Sequence, residues 1–107
     1  MKPAAFDYVR ADTRRQVLEL LAEYGQEARI IAGGQSLMAV LNMRLAQPSL
    51  LIDISRCESL SMIEVRSREV RVGAAVTQAQ LQAHPDVPPL LKLALPYISH
   101  FQIRNRG

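Results

Sequence analysis

The sequence predicts an α+β or mixed α/β architecture. Two observations carry it. A short strand-like segment, residues 6–9, and two apolar runs, residues 28–32 and 50–54, alternate with stretches of helical apolar spacing. A later pair of short segments, residues 62–65 and 70–74, flanks the polar turn Arg66-Ser67-Arg68-Glu69 and reads as an antiparallel hairpin. Strands interleaved with helices, then an antiparallel pair, define that class.

The elements follow in order. Phe6-Asp7-Tyr8-Val9 reads as a strand with Phe6 and Tyr8 on one face. Asp12 or Thr13 caps a helix running to about Tyr24, with Val17, Leu18, Leu21 and Tyr24 as its core stripe and Gly25 as its stop. Residues 28–32 form a short strand, and Gly33-Gly34-Gln35-Ser36 follows it as a loop. Leu37, Met38, Leu41 and Leu45 then recur at helical spacing until Pro48 breaks the pattern. Residues 50–54 are a continuous apolar run, the mark of a strand buried on both faces in a parallel sheet. Past the hairpin, Thr77 followed three residues later by Gln80 is a capping box, so a short helix begins there. Asp86 or Val87 with Pro88 and Pro89 opens another helix, proline being tolerated in the first turn. Leu90, Leu91, Ala94, Leu95 and Ile98 form its apolar side. Pro96 ends or kinks it near Leu95, because proline lacks an N–H and crowds the preceding turn.

With 107 residues, the chain is one small domain or part of a larger one. Hydrophobic residues make up 49% and charged residues 21%, an ordinary globular balance that argues against disorder. The net charge is +3, and 11 of the 13 basic residues are arginine. These charges are scattered rather than gathered into a basic tail. A nucleic-acid role would rest on the arginine excess alone, with no aromatic-basic platform behind it, so no nucleic-acid partner is expected. The single cysteine, Cys57, allows no internal disulfide, and no zinc cluster arises from it with His84 and His100 at these spacings. Nothing near Met1 resembles a signal peptide, and no stretch approaches the ~20 apolar residues of a membrane span. A cytoplasmic location is the expectation.

The strongest chemical candidate is Ile31-Ala32-Gly33-Gly34-Gln35-Ser36-Leu37. A strand ending in paired glycines exposes backbone N–H groups with no Cβ in the way. A helix starting at once adds further unpaired donors, and together they suit a phosphate or pyrophosphate. The plain alternative is a strand-to-helix turn that needs a positive φ. The pattern is neither the G-x-G-x-x-G dinucleotide fingerprint nor a loop with the Walker lysine. Asp53, at the end of an apolar strand, suits a loop hydrogen bond better than catalysis. His84, His100 and Cys57 lack evident partners, and no nucleophile–base set is visible, so no catalytic residue is expected.

Met1-Lys2-Pro3 with Phe6-Asp7-Tyr8, Ile31 to Leu37, Leu51-Ile52-Asp53-Ile54, and His100-Phe101-Gln102-Ile103-Arg104-Asn105-Arg106-Gly107 resemble one family in order and spacing. It is the FAD-binding medium subunit of molybdenum hydroxylases, which includes carbon monoxide dehydrogenase and the flavin part of xanthine dehydrogenase. The resemblance spans essentially the whole chain. It implies the FAD-binding fold of the vanillyl-alcohol oxidase and para-cresol methylhydroxylase type. It places Ile31, Ala32, Gly33, Gly34, Gln35, Ser36 and Leu37 at the FAD pyrophosphate. It also implies electron relay: iron–sulfur clusters in a small subunit pass electrons to FAD, and FAD passes them to an external acceptor. The molybdenum cofactor belongs to a large partner subunit.

In that family a second glycine loop, Thr-Ile/Val-Gly-Gly, directly follows Arg-Asn-Arg-Gly, and this sequence stops at Gly107. Residues 1–107 therefore resemble the N-terminal part of an FAD-binding domain, without the second phosphate loop or the C-terminal domain. Two readings follow from this. One is a flavin-binding oxidoreductase component, with FAD held weakly or not at all by half a clamp. The other is a non-catalytic fragment that folds or pairs with a partner without binding FAD on its own.

Overall fold

A computed structural model of the chain describes residues 2–98 and 100–107, so Met1 of the Met1-Lys2-Pro3 resemblance lies outside the described residues. Its first half is a three-stranded parallel sheet of β1 (Asp7–Arg10), β2 (Ala28–Ile31) and β3 (Leu50–Asp53), in the order β1-β3-β2. The helices α1 (Arg14–Tyr24) and α2 (Leu37–Asn42) make the connections. β3 is the central strand, pairing Leu50–Asp53 with Asp7–Arg10 on one side and with Ala28–Ile31 on the other. Leu50, Leu51 and Ile52 are all buried, as a continuous apolar run in a parallel sheet requires.

One face of the sheet carries the core. Leu50, Ile52 and Ala28 join Ala11, Val17, Ile54 and Cys57, with Val9, Leu20, Leu21 and Leu60 packed at its margin. Thr13 caps α1 by accepting a hydrogen bond from the Gln16 N–H at 3.1 Å, and Gly25 ends it with φ +54°. The helix turns a different stripe inward from the one expected. Val17, Leu20 and Leu21 face the core, while Leu18 is 55% exposed and Tyr24 is also exposed. Both stripes satisfy i, i+3, i+4 spacing, and only the tilt of the sheet against the helix selects one of them. Tyr8 is likewise exposed: in β1 it is Val9 that packs on the core.

α2 ends six residues earlier than Pro48. Arg44 takes a left-handed conformation, φ +56°, and turns the chain, leaving Leu45 exposed. The second half begins with β4 (Ile63–Val65) and β5 (Val70–Val72), an antiparallel hairpin. It closes through the Arg66 N–H to Glu69 C=O bond at 2.8 Å. Gly73 follows β5, its N–H donating to Met62 C=O at 2.9 Å, and a Cβ there would lie 2.0 Å from the Leu60 carbonyl oxygen. The helices α3 (Gln78–Ala83), α4 (Pro89–Ala94) and α5 (Phe101–Arg104) complete the fold. The Thr77 capping box forms in full: Thr77 Oγ1 accepts from the Gln80 N–H, and Gln80 Oε1 accepts from the Thr77 N–H. α4 gives way to a 3-10 turn, Leu95–Tyr97, at Pro96, as the missing N–H demands.

Candidate functional site

The site begins where β2 runs out. Ile54 N–H still bonds Ile31 C=O at 3.0 Å, and beyond that point the loop leaves the sheet. Gly34 adopts φ +75°, the left-handed conformation that lets successive amides point to one side as an anion-binding nest. Among the described residues, the N–H groups of Ala32, Gly33, Gly34, Gln35 and Ser36 donate no hydrogen bond. Five consecutive open donors are costly unless solvent or a ligand accepts from them.

Ser36 precedes α2 without a side-chain cap bond, so its hydroxyl remains available as a donor. The expected helix contribution is small. α2 has six residues, and so short a helix sums few peptide dipoles. The loop itself supplies the donor set.

Two clefts meet at this loop. One, of about 390 Å³, is lined by all seven residues singled out from the sequence, Ile31, Ala32, Gly33, Gly34, Gln35, Ser36 and Leu37, with Gln78, Ile103 and Gly107 opposite. The other, of about 450 Å³, shares Ala32, Gly33 and Gly107 and continues past Asp53, Arg56, Thr77 and Arg106. Between them the tail crosses the glycine loop. A Cβ on Gly33 would lie 2.0 Å from the Arg106 carbonyl oxygen and 2.6 Å from its carbon. The absence of a side chain at Gly33 is therefore what lets residues 106 and 107 lie there. Gln78 fixes the crossing, its N–H donating to Gly107 O at 2.5 Å. Gln78 Oε1 is buried without a partner among the described residues, which leaves an open acceptor beside the open amides.

The tail contains the short helix α5, which no helical spacing in the sequence indicates, although Ile103 set among polar residues and followed by Gly107 reads as a structured segment rather than a frayed end. Arg104 ties it down, its guanidinium donating to Pro96 C=O at 3.2 Å and Ile98 C=O at 3.1 Å. Gln78 and the tail crossing were both invisible in local sequence.

Asp53 makes the loop hydrogen bond expected of it. Its Oδ1 accepts from the Ser55 N–H at 2.9 Å, and its Oδ2 accepts from the Tyr8 hydroxyl. Burial opposes its ionisation, but the Tyr8 and Ser55 hydrogen bonds outweigh this and hold the carboxyl below its ordinary 3.8. The same hydrogen bond, aided by burial, holds the Tyr8 phenol above its ordinary 10.0. The other candidates are structural. His84 Nδ1 accepts from the Asp86 N–H in a turn, and Cys57 is buried in the core. Among the described residues no three His, Cys, Asp or Glu side chains cluster to hold a metal, and no helix is long and apolar enough to cross a membrane.

A strand, a glycine turn of open amides and a buried open acceptor meet on a mixed α and β scaffold. Comparison with known proteins shows the family. The family profile described as FAD binding domain in molybdopterin dehydrogenase matches residues 4–107, and the chain belongs to that family. It is 46% identical to the 6-hydroxypseudooxynicotine dehydrogenase complex subunit alpha of Paenarthrobacter nicotinovorans, over 100% of this chain and 37% of that protein. Among solved structures it resembles quinoline 2-oxidoreductase from Pseudomonas putida 86, with a TM-score of 0.93 at 38% identity, covering 100% of this chain and 38% of that one. Carbon monoxide dehydrogenase from Hydrogenophaga pseudoflava, in a form lacking the Mo-pyranopterin moiety of the molybdenum cofactor, matches at a TM-score of 0.92 and 36% identity. The chain covers 100% of itself and 38% of that structure. It thus spans rather more than a third of the length of these relatives, and the family and fold read from the sequence are borne out.

Proposed function

We propose that this chain is the first part of the FAD-holding domain of a medium subunit in a molybdenum hydroxylase. In this reading Ile31, Ala32, Gly33, Gly34, Gln35, Ser36 and Leu37 hold the pyrophosphate. The observation that carries it is the run of open N–H groups from Ala32 to Ser36 around a left-handed Gly34. The loop fits the group: amide donors suit pyrophosphate oxygens, and Gln78 Oε1 suits a hydroxyl or amino donor on the same ligand. When bound, FAD supplies the redox chemistry, taking electrons from iron–sulfur clusters and giving them to an external acceptor. The chain's own task is to bind and orient it, with no side chain acting as acid or base. An iron–sulfur small subunit and a molybdenum-cofactor large subunit are the partners, in the cytoplasm. Support comes from relatives that are named as a complex subunit and as a dehydrogenase with a molybdenum cofactor.

The test is an FAD titration followed at the backbone amides by NMR, with ADP as competitor. Saturable one-to-one binding that shifts the amides of residues 32–36 and is displaced by ADP is expected. A folded chain whose loop amides do not respond to either ligand overturns the reading. A Gly34→Val variant makes a poor control here, because φ +75° strains any side chain whatever its effect on the ligand.

One observation favours the second reading, a fragment that pairs without binding FAD. Leu90 is 76% and Tyr97 89% exposed, and Leu93 and Phe101 are exposed with them. Apolar residues exposed together favour association. Concentration-dependent sedimentation without FAD binding would support this reading over the first.

A further inference from the structure

The hairpin β4-β5 forms a two-stranded sheet among the described residues, and two strands alone are marginally stable in water. Its hydrogen-bond phase says which main-chain groups face outward. Arg66 N–H donates to Glu69 C=O and Gly73 N–H to Met62 C=O, so Met62, Glu64 and Arg66 spend their main-chain groups inside the hairpin. Ile63 and Val65 therefore turn their N–H and C=O outward on β4, as Val70 and Val72 do on β5. The side chains divide by the same alternation. Ile63, Val65, Val70 and Val72 share one face, with Val65 and Val72 exposed. Glu64, Arg66, Glu69 and Arg71 share the other, where Arg66 pairs with Glu64 at 2.9 Å and Arg71 with Glu69 at 3.0 Å.

Charge on an edge strand ordinarily blocks pairing. On β4 it selects one mate and one register instead. Antiparallel pairing with β4 of a second copy, centred on Val65, sets each Glu64 opposite the Arg66 of the other copy, and opposite charges across strands attract. The same edge centred on Glu64 would set Glu64 against Glu64. β5 paired with itself about Arg71 sets Arg71 against Arg71, and about Val70 it sets Arg68 against Val72. In the Val65 register the two outward-facing Val65 residues exchange N–H to C=O bonds, and the apolar faces of both hairpins run on as one.

We propose that β4 is a self-pairing edge, by which two copies of this chain join antiparallel about Val65 into a four-stranded sheet. The pairing is independent of the FAD reading.

Sedimentation equilibrium of the full chain reads the dimer, with circular dichroism confirming that each variant folds. The wild type dimerises as concentration rises. Glu64→Arg leaves two arginines on the edge and Arg66→Glu leaves two glutamates, so each alone weakens the dimer about tenfold or more. An equimolar mixture of the two variants restores it, because each arginine then meets a glutamate. Val65→Pro removes the outward N–H, spares the hairpin's own bonds and abolishes the dimer, whereas Val70→Pro on the other edge leaves it intact. Where a charge variant fails to fold, the two proline variants decide. A wild type that stays monomeric overturns the proposal. So does a dimer that survives Val65→Pro, since it would use another surface, such as the exposed Leu90 and Tyr97. A mixture of folded variants no tighter than either alone overturns the register and the proposal with it.

Discussion

Gly33→Ala tests whether the tail truly rests on the glycine loop. The new Cβ would stand 2.0 Å from the Arg106 carbonyl oxygen, 2.6 Å from its carbon and 3.0 Å from the Gly107 Cα. Ordinary contact begins at 3.4 Å, so backbone must retreat by more than an ångström. All three atoms are backbone, so no side chain can swing aside to relieve the clash. Retreat pulls Gly107 O from the Gln78 N–H, bonded at 2.5 Å, and strains the Gly107 N–H to Ile103 C=O bond at 2.7 Å. One lost hydrogen bond is worth ~1 kcal/mol, and forced repacking adds ~1–3 kcal/mol. A net loss of about 2–4 kcal/mol lowers Tm by roughly 8–16 °C at its lower end in a domain of this size. Gly25→Ala is the comparison. Its Cβ meets nothing within 4 Å, so only its backbone, φ +54° with ψ −126°, resists it, at ~1–3 kcal/mol. Thermal melts of both variants decide the matter. Gly33 has no positive φ to relieve, so a Gly33→Ala loss below about 0.5 kcal/mol means that the tail does not lie over the loop as described.

Further outcomes follow from single features. Thr77→Ala removes the capping-box acceptor of α3 and costs ~1 kcal/mol in urea denaturation, whereas a loss under a few tenths would show the cap idle. Arg44→Gly relieves the left-handed conformation at the end of α2 and raises stability by ~0.5 kcal/mol, after glycine's own entropy cost offsets part of the gain. Lower stability in this variant would mean that the Arg44 side chain matters more than its φ. Because the Asp53 carboxyl sits below its ordinary 3.8, its contribution is complete above that value and is lost as pH falls through the folded one. The Tm gap between wild type and Asp53→Asn is thus full at neutral pH and closes in acid below about 3.8; a gap constant with pH refutes the assignment.

What the sequence made legible was local. Thr13, Thr77 and Gly25 announced helix ends because capping is settled within four residues. β3 was readable because a strand buried on both faces must be apolar throughout. The phase of α1 was not, since Val17 with Leu20 and Leu21 fits the same helical period as Val17 with Leu18, Leu21 and Tyr24. The early end of α2 escaped notice because arginine in a left-handed conformation carries no sequence signal, while Pro48, further on, does.

The site divides along the same line. A glycine pair after an apolar strand is visible by itself, yet by itself it fits a plain turn equally well. Only one of the two glycines serves the turn: Gly34, at φ +75°. Gly33 is required by residues more than seventy positions away, because the Arg106 carbonyl occupies the space its Cβ would fill. The Gly-Gly segment and the Arg-Asn-Arg-Gly segment are therefore halves of one contact. Each is ambiguous alone, and their joint presence in one chain is informative for a physical reason. A substitution that gives Gly33 a side chain must disturb the tail, and a change in the tail's path would remove the need for glycine at 33.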